Sequence, residues 1–232
     1  MEIDFWHDKW EKNLIGFHLP ETNPHLIKYY SHLNLTKGDR IFVPLCGKSN
    51  DIIWLIKQGL YVTAIELSPL AVKQFFDDNQ LQPEIIKQND FQIWQTEKIR
   101  IFVGDFFKLR ADDLKNIDAI YDRASLIALP LQLRQNYRQH LQLILPSIKI
   151  LLITLEYDQS LMQGPPFAVN DDEIDQLYGN EYQIKTLMKE DVLSKEPHFK
   201  KKGVDYMNES VYQLTPRRLS ENSSFRHNGV KI

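Results

Sequence analysis

Apolar segments rich in β-branched residues alternate with segments of helical periodicity along most of this chain. Such alternation is typical of a parallel sheet, because parallel neighbours need a long connection that is usually a helix. Seven segments are predicted to be strands: residues 40–44, 61–66, 99–103, 117–121, 148–155, 182–188 and 204–214. The last two are expected to form an antiparallel pair at one edge. The sequence therefore predicts an α/β fold with a seven-stranded, mostly parallel sheet.

Capping residues predict where several helices begin and end. A helix that begins near Ser49 or Asn50 is expected to end at Gly59, and Ser68 is a suitable cap for the next helix. Residues 82–98 are polar and are predicted to be irregular. Two further helices are predicted, over residues 132–145 and 171–178.

The size of the chain favours a single domain. With 232 residues, of which 43% are hydrophobic, it is expected to fold as one domain over residues 1–215. Residues 1–33 precede the first strand and carry several aromatic side chains; we expect them to form a lid, called here the N-terminal lid. Residues 216–232 are polar and are expected to be a flexible tail. A chain that ends at Thr215 is therefore expected to keep its melting temperature and its turnover.

Charge and composition argue against several classes of protein. The formal net charge is −3, from 28 basic and 31 acidic residues, so a general nucleic-acid or membrane-surface binder is not expected. A single cysteine excludes an intrachain disulfide, and the seven histidines lack the spacing of metal ligands. No apolar run is long enough for a membrane span, and the charged first residues do not resemble a signal peptide. We expect a cytoplasmic monomer that acts on a small molecule, without metal, nucleic acid or membrane.

The turn FVPLCGKS, residues 42–49, joins the first strand to the next helix. In nucleotide-binding sheets this turn directs backbone N–H groups at the ligand, and Gly47 permits a close approach. Glu66 ends the second strand 19 positions after Gly47, where an acid binds ribose hydroxyls in such folds. Taken singly, the turn is equally consistent with an ordinary connection and Glu66 with a solvated strand end. Together they favour an adenosine-containing ligand.

Charged residues also follow two other strands at the same edge of the predicted sheet. Asp122 and Arg123 come after the fourth strand, where a guanidinium can bind a carboxylate or polarise a substrate. Asp105 follows the third strand and is within reach of an adenine amino group. The alternatives are an Asp122–Arg123 surface pair and a helix cap at Asp105.

Aromatic residues of the N-terminal lid form a further candidate group. The faces of Trp6, Trp10 and Phe17 can attract a cationic ligand and exclude water. Trp6 and Trp10 are four positions apart, so packing of an amphipathic helix is the alternative. Cys46 is predicted to be a buried structural thiol, because the sequence reveals no base near it. The GPPF segment, residues 164–167, is predicted to be a rigid turn that can wall a pocket.

These segments together resemble the thiopurine S-methyltransferase family, and its bacterial members in particular. The shared motifs are FWHDKW (5–10), GF (16–17), FVPLCGK (42–48), IELS (65–68), YDRA (121–124) and GPPF (164–167). They follow the family's order and spacing, and the combination of PLCGK with GPPF is specific to it. The resemblance implies a Rossmann-like class I S-adenosylmethionine-dependent methyltransferase fold with a helical, aromatic N-terminal lid.

The resemblance also implies roles for individual residues. The expected S-adenosylmethionine contacts are Trp10, Leu45, Glu66 and Arg123, with Asp105 and Phe106 in the adenine region, and the turn adds Gly47 to them. Phe17 matches an aromatic residue that touches the methyl acceptor. Mammalian members carry an arginine before the last strand, and His198 stands at that position here.

The expected reaction moves a methyl group from S-adenosylmethionine to sulfur, selenium or tellurium of a small aromatic acceptor, leaving S-adenosylhomocysteine. The leaving group is already activated, so the protein mainly positions and desolvates, while Arg123 stabilises charge on the acceptor. Phe17, Phe167 and Trp10 can form an apolar slot for a flat ring. The alternatives are a nicotinamide-dependent oxidoreductase, which would need more turn glycines, and a non-catalytic S-adenosylmethionine-binding protein.

Overall fold

A nine-stranded sheet lies at the centre of the computed structural model, which describes residues 3–217. The strands are β1 (Arg40–Val43), β2 (Tyr61–Glu66), β3 (Glu84–Gln88), β4 (Phe91–Gln95), β5 (Ile99–Val103), β6 (Ala119–Arg123), β7 (Lys149–Glu156), β8 (Tyr182–Asp191) and β9 (Asn208–Pro216). They lie in the order β3-β4-β5-β2-β1-β6-β7-β9-β8. The five central strands, from β5 to β7, are mutually parallel, and the outer strands pair antiparallel.

Helices connect the parallel strands and cover both faces of the sheet. They are α1 (Ile3–Glu11), α2 (Pro24–Tyr29), α3 (Asp51–Lys57), α4 (Pro69–Asp78), α5 (Ser125–Ala128), α6 (Leu131–Ile144), α7 (Asp171–Tyr178) and α8 (Pro197–Lys200). The predicted cap at Ser68 is confirmed, since its hydroxyl accepts a hydrogen bond from the Ala71 N–H at 3.3 Å. Within residues 3–217, no helix combines the length and the apolar character needed to cross a membrane.

Successive residues of the central strands face two different cores, one on each side of the sheet. Phe42 and Ile120 pack in the core that includes residues of α6 and α7. Ile41 and Tyr121, next to them in sequence, pack in the core that includes residues of α2, α3 and α4. Both neighbours are buried because side chains alternate across a strand and this sheet is covered on both faces. The same alternation separates Asp122 from Arg123 at the end of β6.

The prediction that residues 82–98 are irregular was wrong. They contain the antiparallel hairpin β3–β4, which pairs with β5 and extends the sheet beyond the predicted seven strands. Only Asn89 and Asp90 separate the paired residues Gln88 and Phe91, and Asn89 has the positive φ of 52° that a tight hairpin turn needs. The hairpin is hard to recognise because it lies at the edge of the sheet, where many of its side chains are polar and exposed.

The other strand predictions were correct in position, but the boundaries of β6, β8 and β9 differ from the predicted ones by two to four residues. The fourth predicted strand, 117–121, is β6, which begins and ends two residues later, so Asp122 and Arg123 lie within the strand. The last predicted strand, 204–214, begins only at Asn208. The predicted antiparallel pair is confirmed, with β9 between β7 and the edge strand β8. The predicted tail begins two residues too early, because Pro216 ends β9 and the Arg217 N–H donates to the Glu181 carbonyl at 2.8 Å. The rest of the predicted tail, residues 218–232, lies outside the described residues.

Candidate active site

The carboxyl ends of the parallel strands meet where the strand order reverses. From β1 the chain continues through β2 to β5 on one side, and then returns to β6 on the other side of β1. Ligands of such sheets bind at this switch point. The backbone there has positive φ at Leu45 (44°), Gly47 (53°) and Ala124 (68°). For Leu45 and Ala124 this conformation costs about 1 kcal/mol or more, a strain that often marks a functional site.

Glu66 ties the turn after β1 to the end of β2. Its Oε2 accepts the Gly47 N–H at 2.8 Å, and its Oε1 accepts the Ser68 N–H at 2.8 Å. The side chain is buried, so the interpretation of Glu66 as a solvated strand end was wrong. Burial raises the pKa of Glu66 above its ordinary value, while the Ser68 and Gly47 N–H groups oppose the shift. Each carboxylate oxygen retains a lone pair for a hydroxyl ligand.

Trp10 packs directly on the backbone of the turn. A Cβ added at Gly47 would lie 3.2 Å from Cζ2 of the Trp10 ring, so both this tight contact and the positive φ favour glycine there. Trp10 itself is only 3% exposed. Cys46, in the same turn, is buried as predicted, and burial raises the pKa of its thiol well above the ordinary value. That shift opposes a role as a nucleophile.

Phe17 connects the aromatic residues of the first helix to the end of β6. Its ring centroid lies 5.6 Å from that of Trp10 and 5.7 Å from that of Trp6, both edge to face. Its carbonyl oxygen accepts a hydrogen bond from Arg123 Nη2 at 3.3 Å. The Phe17 ring stays 38% exposed, whereas Trp10 is buried. The cluster of Trp6, Trp10, Phe17 and Arg123 therefore contains both a buried ring, that of Trp10, and a ring that a ligand can reach, that of Phe17.

Asp122 and Arg123 do not form a surface pair, so that alternative was wrong. Asp122 is fully buried and accepts a hydrogen bond from the Tyr137 hydroxyl of α6 at 2.7 Å. Arg123 is on the opposite side of the strand, next to Phe17. Burial raises the pKa of Asp122 to about 6, despite hydrogen bonds from Tyr137 and Ser125 that oppose the shift.

The residues after β5 make more contacts within the protein than the sequence indicated. Asp105 accepts the Phe107 N–H at 3.0 Å and so caps a short 3₁₀ turn, which is the alternative that its position allowed. The ring of Phe106 is 4% exposed and packs 4.7 Å from the Tyr137 ring. The Gly104 N–H donates to the Glu66 carbonyl at 2.9 Å, so this loop still lies beside the Glu66 turn.

Phe167 lies at the same edge, whereas His198 stands apart. The Phe167 N–H donates to the Ile127 carbonyl of α5 at 2.6 Å, which places the GPPF turn close to the end of β6. Exposed His198 lies in α8 and contacts Phe199, with ring centroids 5.6 Å apart. Among residues 3–217, no hydrogen bond or ion pair joins His198 to Arg123 or Phe17.

Two polar residues near this edge had no recognisable signal in the sequence. Asp51, at the start of α3, is 2% exposed and accepts the Asn23 N–H at 2.7 Å and the Tyr121 hydroxyl at 2.9 Å. His18 follows Phe17 and faces Lys48 and Arg123. Neither residue belongs to a recognised motif. The groups around each of them in space come from distant parts of the chain, so no local pattern indicates their role. The described residues contain no cluster of three or more His, Cys, Asp or Glu side chains suited to a metal ion.

The pKa of Asp122 leads to a prediction on stability. Only the folded state opposes ionisation of Asp122, so this group destabilises the fold progressively as the pH rises from about 4 to about 6. The isosteric Asp122→Asn keeps an acceptor for Tyr137 and removes the ionisation. We expect the variant to gain up to about 3 kcal/mol relative to wild type between pH 4 and pH 7, at about 1.4 kcal/mol per pK unit. Urea unfolding at several pH values measures the difference; one that is independent of pH would contradict the buried, ionising carboxyl.

The sequence of this chain is similar to those of enzymes that all carry the same description. A family model described as thiopurine S-methyltransferase matches residues 1–217. A thiopurine S-methyltransferase of Nitrosospira multiformis is 47% identical over 218 residues, covering 94% of this chain and 99% of that protein. One of Pseudomonas aeruginosa strain UCBPP-PA14 is 46% identical over 215 residues, covering 92% and 99% respectively.

Solved structures confirm the predicted fold class at lower sequence identity. A SAM-dependent methyltransferase from Thiobacillus denitrificans, in complex with S-adenosyl-L-homocysteine, is similar with a TM-score of 0.61 at 16% identity, covering 90% of this chain and 98% of that one. A second, from Geobacter sulfurreducens, has a TM-score of 0.61 at 14% identity and covers 91% and 98%. The fold is thus that of the Rossmann-like methyltransferases, with nine described strands instead of seven.

Proposed function

Because the chain belongs to the thiopurine S-methyltransferase family, we propose that it methylates a sulfur atom, or a selenium or tellurium atom, of a small aromatic acceptor. It is an S-adenosylmethionine-dependent methyltransferase, and family membership decides against the nicotinamide-dependent oxidoreductase. The observation that carries the proposal is the contact of Phe17 with both Trp10 and Arg123, because it joins the cofactor turn to a cation at one edge.

The residues at this edge suit S-adenosylmethionine. Gly47 lets the Trp10 ring pack on the turn, and the buried carboxylate of Glu66 is a hydroxyl acceptor at the end of β2. We assign the cofactor to Trp10, Leu45, Gly47, Glu66 and Arg123, with Asp105 and Phe106 on its adenine side. When bound, it supplies a methyl group that is already activated on a sulfonium. The tasks left to the protein are to orient the acceptor, exclude water and stabilise charge.

The acceptor is assigned to the space between the aromatic residues and the end of β6. Phe17 is partly exposed there, and Phe167 is tied to α5 directly after β6. Two aromatic rings favour a flat acceptor, and the Arg123 guanidinium favours one whose sulfur is anionic. His198 remains a proposed contact at the rim, since no described interaction holds it elsewhere except its packing on Phe199.

A direct test compares a thiopurine with the oxygen and nitrogen analogues of the same ring, together with aryl thiols and a selenium species. We expect methylation at sulfur or selenium to be faster than at oxygen or nitrogen, because the softer atom ionises more easily. The methylated product is identified by mass spectrometry. Faster methylation of the oxygen or nitrogen analogue would overturn the acceptor class while leaving the cofactor assignment intact. Binding without methylation of any acceptor would favour a non-catalytic binding protein.

The N-terminal lid is proposed to close over the bound cofactor. Trp10 rests on Gly47, so a ligand on the turn would also lie against α1. We expect the amides of residues 5–17 to exchange more slowly with deuterium when S-adenosylhomocysteine is added. The amides of the edge strand β8, four strands away from β1 in the sheet, provide the control. Equal exchange of residues 5–17 with and without ligand would mean that their aromatic residues only pack within the protein.

We also propose a single catalytic domain, residues 1–215, that works as a cytoplasmic monomer on free small molecules rather than on nucleic acid. The mildly negative net charge of −3 supports this, because a polyanionic acceptor would be repelled. Light scattering of the purified chain tests the monomer.

A further inference from the structure

His18 is held beside Arg123 by the contacts of its neighbours. The Phe17 carbonyl accepts from Arg123 Nη2 at 3.3 Å, and the Pro20 carbonyl accepts from Asn50 Nδ2 at 2.8 Å. The His18 N–H also donates to the Ile15 carbonyl at 2.8 Å, closing a turn. His18 therefore lies between two anchors, one to Arg123 at the end of β6 and one to Asn50 at the start of α3, and directly follows the partly exposed Phe17.

The charged groups that act on the His18 ring come from several parts of the chain. They are Lys48 after β1, Asp78 of α4, Arg123 of β6 and Asp51 of α3. Burial and then Lys48 lower the pKa of His18 below its ordinary value, Arg123 adds to the effect, and Asp78 and Asp51 oppose it. Lys48 itself is paired with Asp78 at 2.9 Å. The lowered pKa favours the neutral imidazole, which is the form that can take up a proton.

Hydrogen bonding also distinguishes the ring of His18 from that of an ordinary packed histidine. Within residues 3–217, no protein hydrogen bond engages its ring, although the residue is half-buried. His25, by contrast, is bonded to Glu209 at 2.7 Å. A neutral imidazole without a protein partner, beside the cation assigned to the acceptor, has a ring nitrogen available to a ligand.

We propose, on the basis of the S-methylation proposed above, that His18 is a catalytic residue that accepts the proton of a neutral thiol acceptor. The S–H bond of the acceptor breaks and its proton passes to a ring nitrogen of His18. The electron pair left on that sulfur forms the bond to the methyl carbon, and the pair of the former methyl–sulfonium bond stays on the departing sulfur. The imidazolium then returns its proton to water. Arg123 holds the anionic sulfur during this exchange, and Lys48 with Arg123 favours the loss of the proton from His18 afterwards.

The test uses a series of aryl thiols that range from fully ionised to mostly neutral at pH 7. For His18→Gln we expect kcat/KM to fall about a hundredfold with the neutral thiols, as is typical on loss of a general base. With the fully ionised thiols it should stay within about twofold, since no proton remains to be removed. The matched control is His32→Gln, a half-buried histidine elsewhere in the chain, which should behave as wild type throughout. His18→Asn serves as a second variant if His18→Gln folds poorly.

A second readout does not depend on turnover. In the complex with S-adenosylhomocysteine, the absorbance of a bound nitro-substituted aryl thiol reports whether its sulfur is ionised. Wild type should ionise this thiol at a lower pH than His18→Gln does. An equal loss of kcat/KM across the whole series, or an unchanged absorbance titration, overturns the role of His18. A wild-type chain that methylates none of the thiols overturns the proposed function itself, and the role of His18 with it.

Discussion

Replacing Arg123 by alanine is expected to lower kcat/KM for a thiol acceptor at least tenfold. Arg123 is the cation at the end of β6 that lies beside the partly exposed Phe17, where the acceptor is proposed to bind. A charge-assisted contact to an anionic sulfur is worth at least about 1.4 kcal/mol in the transition state, which corresponds to a tenfold change in rate. The Phe17 carbonyl loses its partner as well, so the aromatic residues of the lid lose an anchor. Steady-state kinetics at saturating S-adenosylmethionine measure the effect.

Arg123→Lys separates charge from geometry. Lysine keeps the positive charge but lacks the planar fork, so we expect a loss intermediate between wild type and alanine. The affinity for S-adenosylhomocysteine, measured by calorimetry, indicates how much of the loss comes from cofactor binding. An alanine variant with unchanged kcat/KM would remove Arg123 from the reaction and leave it only as a support for Phe17.

Glu66→Ala is expected to weaken both the fold and the binding of S-adenosylhomocysteine. The two backbone N–H groups that its carboxylate accepts, on Gly47 and Ser68, would be left without their partner near the base of the site. Each such N–H costs about 1–3 kcal/mol of stability if no water replaces the carboxylate. Loss of a charged acceptor for the ribose hydroxyls would add about 1–3 kcal/mol of binding free energy, or roughly tenfold to a hundredfold in affinity.

The two effects of Glu66→Ala can be told apart with a variant that only destabilises. Asn170 caps α7 through its Oδ1, which accepts the Glu173 N–H at 2.9 Å, and α7 contacts the edge strand β8. Asn170→Ala should cost about 1 kcal/mol of stability, as is usual for a lost helix cap, and leave the affinity unchanged. If Glu66→Ala loses stability but binds S-adenosylhomocysteine as wild type does, Glu66 supports the turn without touching the ligand.

Local patterns in the sequence predicted the central strands, four of the eight described helices and the edge where the site lies. The apolar runs of the parallel strands are continuous because both faces of the sheet are covered, and this makes them easy to recognise. The hairpin β3–β4 was missed because its edge position leaves polar side chains, those of Glu84, Lys87 and Gln92, exposed among its apolar residues. The turn after β1, Glu66 and Arg123 could be assigned to one site from the sequence, because each lies at the carboxyl end of a predicted strand.

The partners of those residues could not be predicted in the same way. The sequence left open whether Asp122 pairs with Arg123, and a shift of two residues in the end of β6 placed them on opposite faces. Glu66 was expected to face a ligand, and the structure adds that it holds the turn through two backbone N–H groups. His18 carries no motif, and its surroundings come from four separate elements.

The sequence by itself thus determined the α/β architecture, the turn at Gly47 and the family, since each depends on residues that are close together in the chain. The tertiary structure decided which side chains meet: Trp10 on Gly47, Phe17 with Arg123, and Asp51 between Asn23 and Tyr121. Burial, and with it the raised pKa of Asp122 and the lowered pKa of His18, also depends on the packed fold. The physical reason is that hydrogen bonds, desolvation and neighbouring charges depend on distance in space, which the order of residues does not specify.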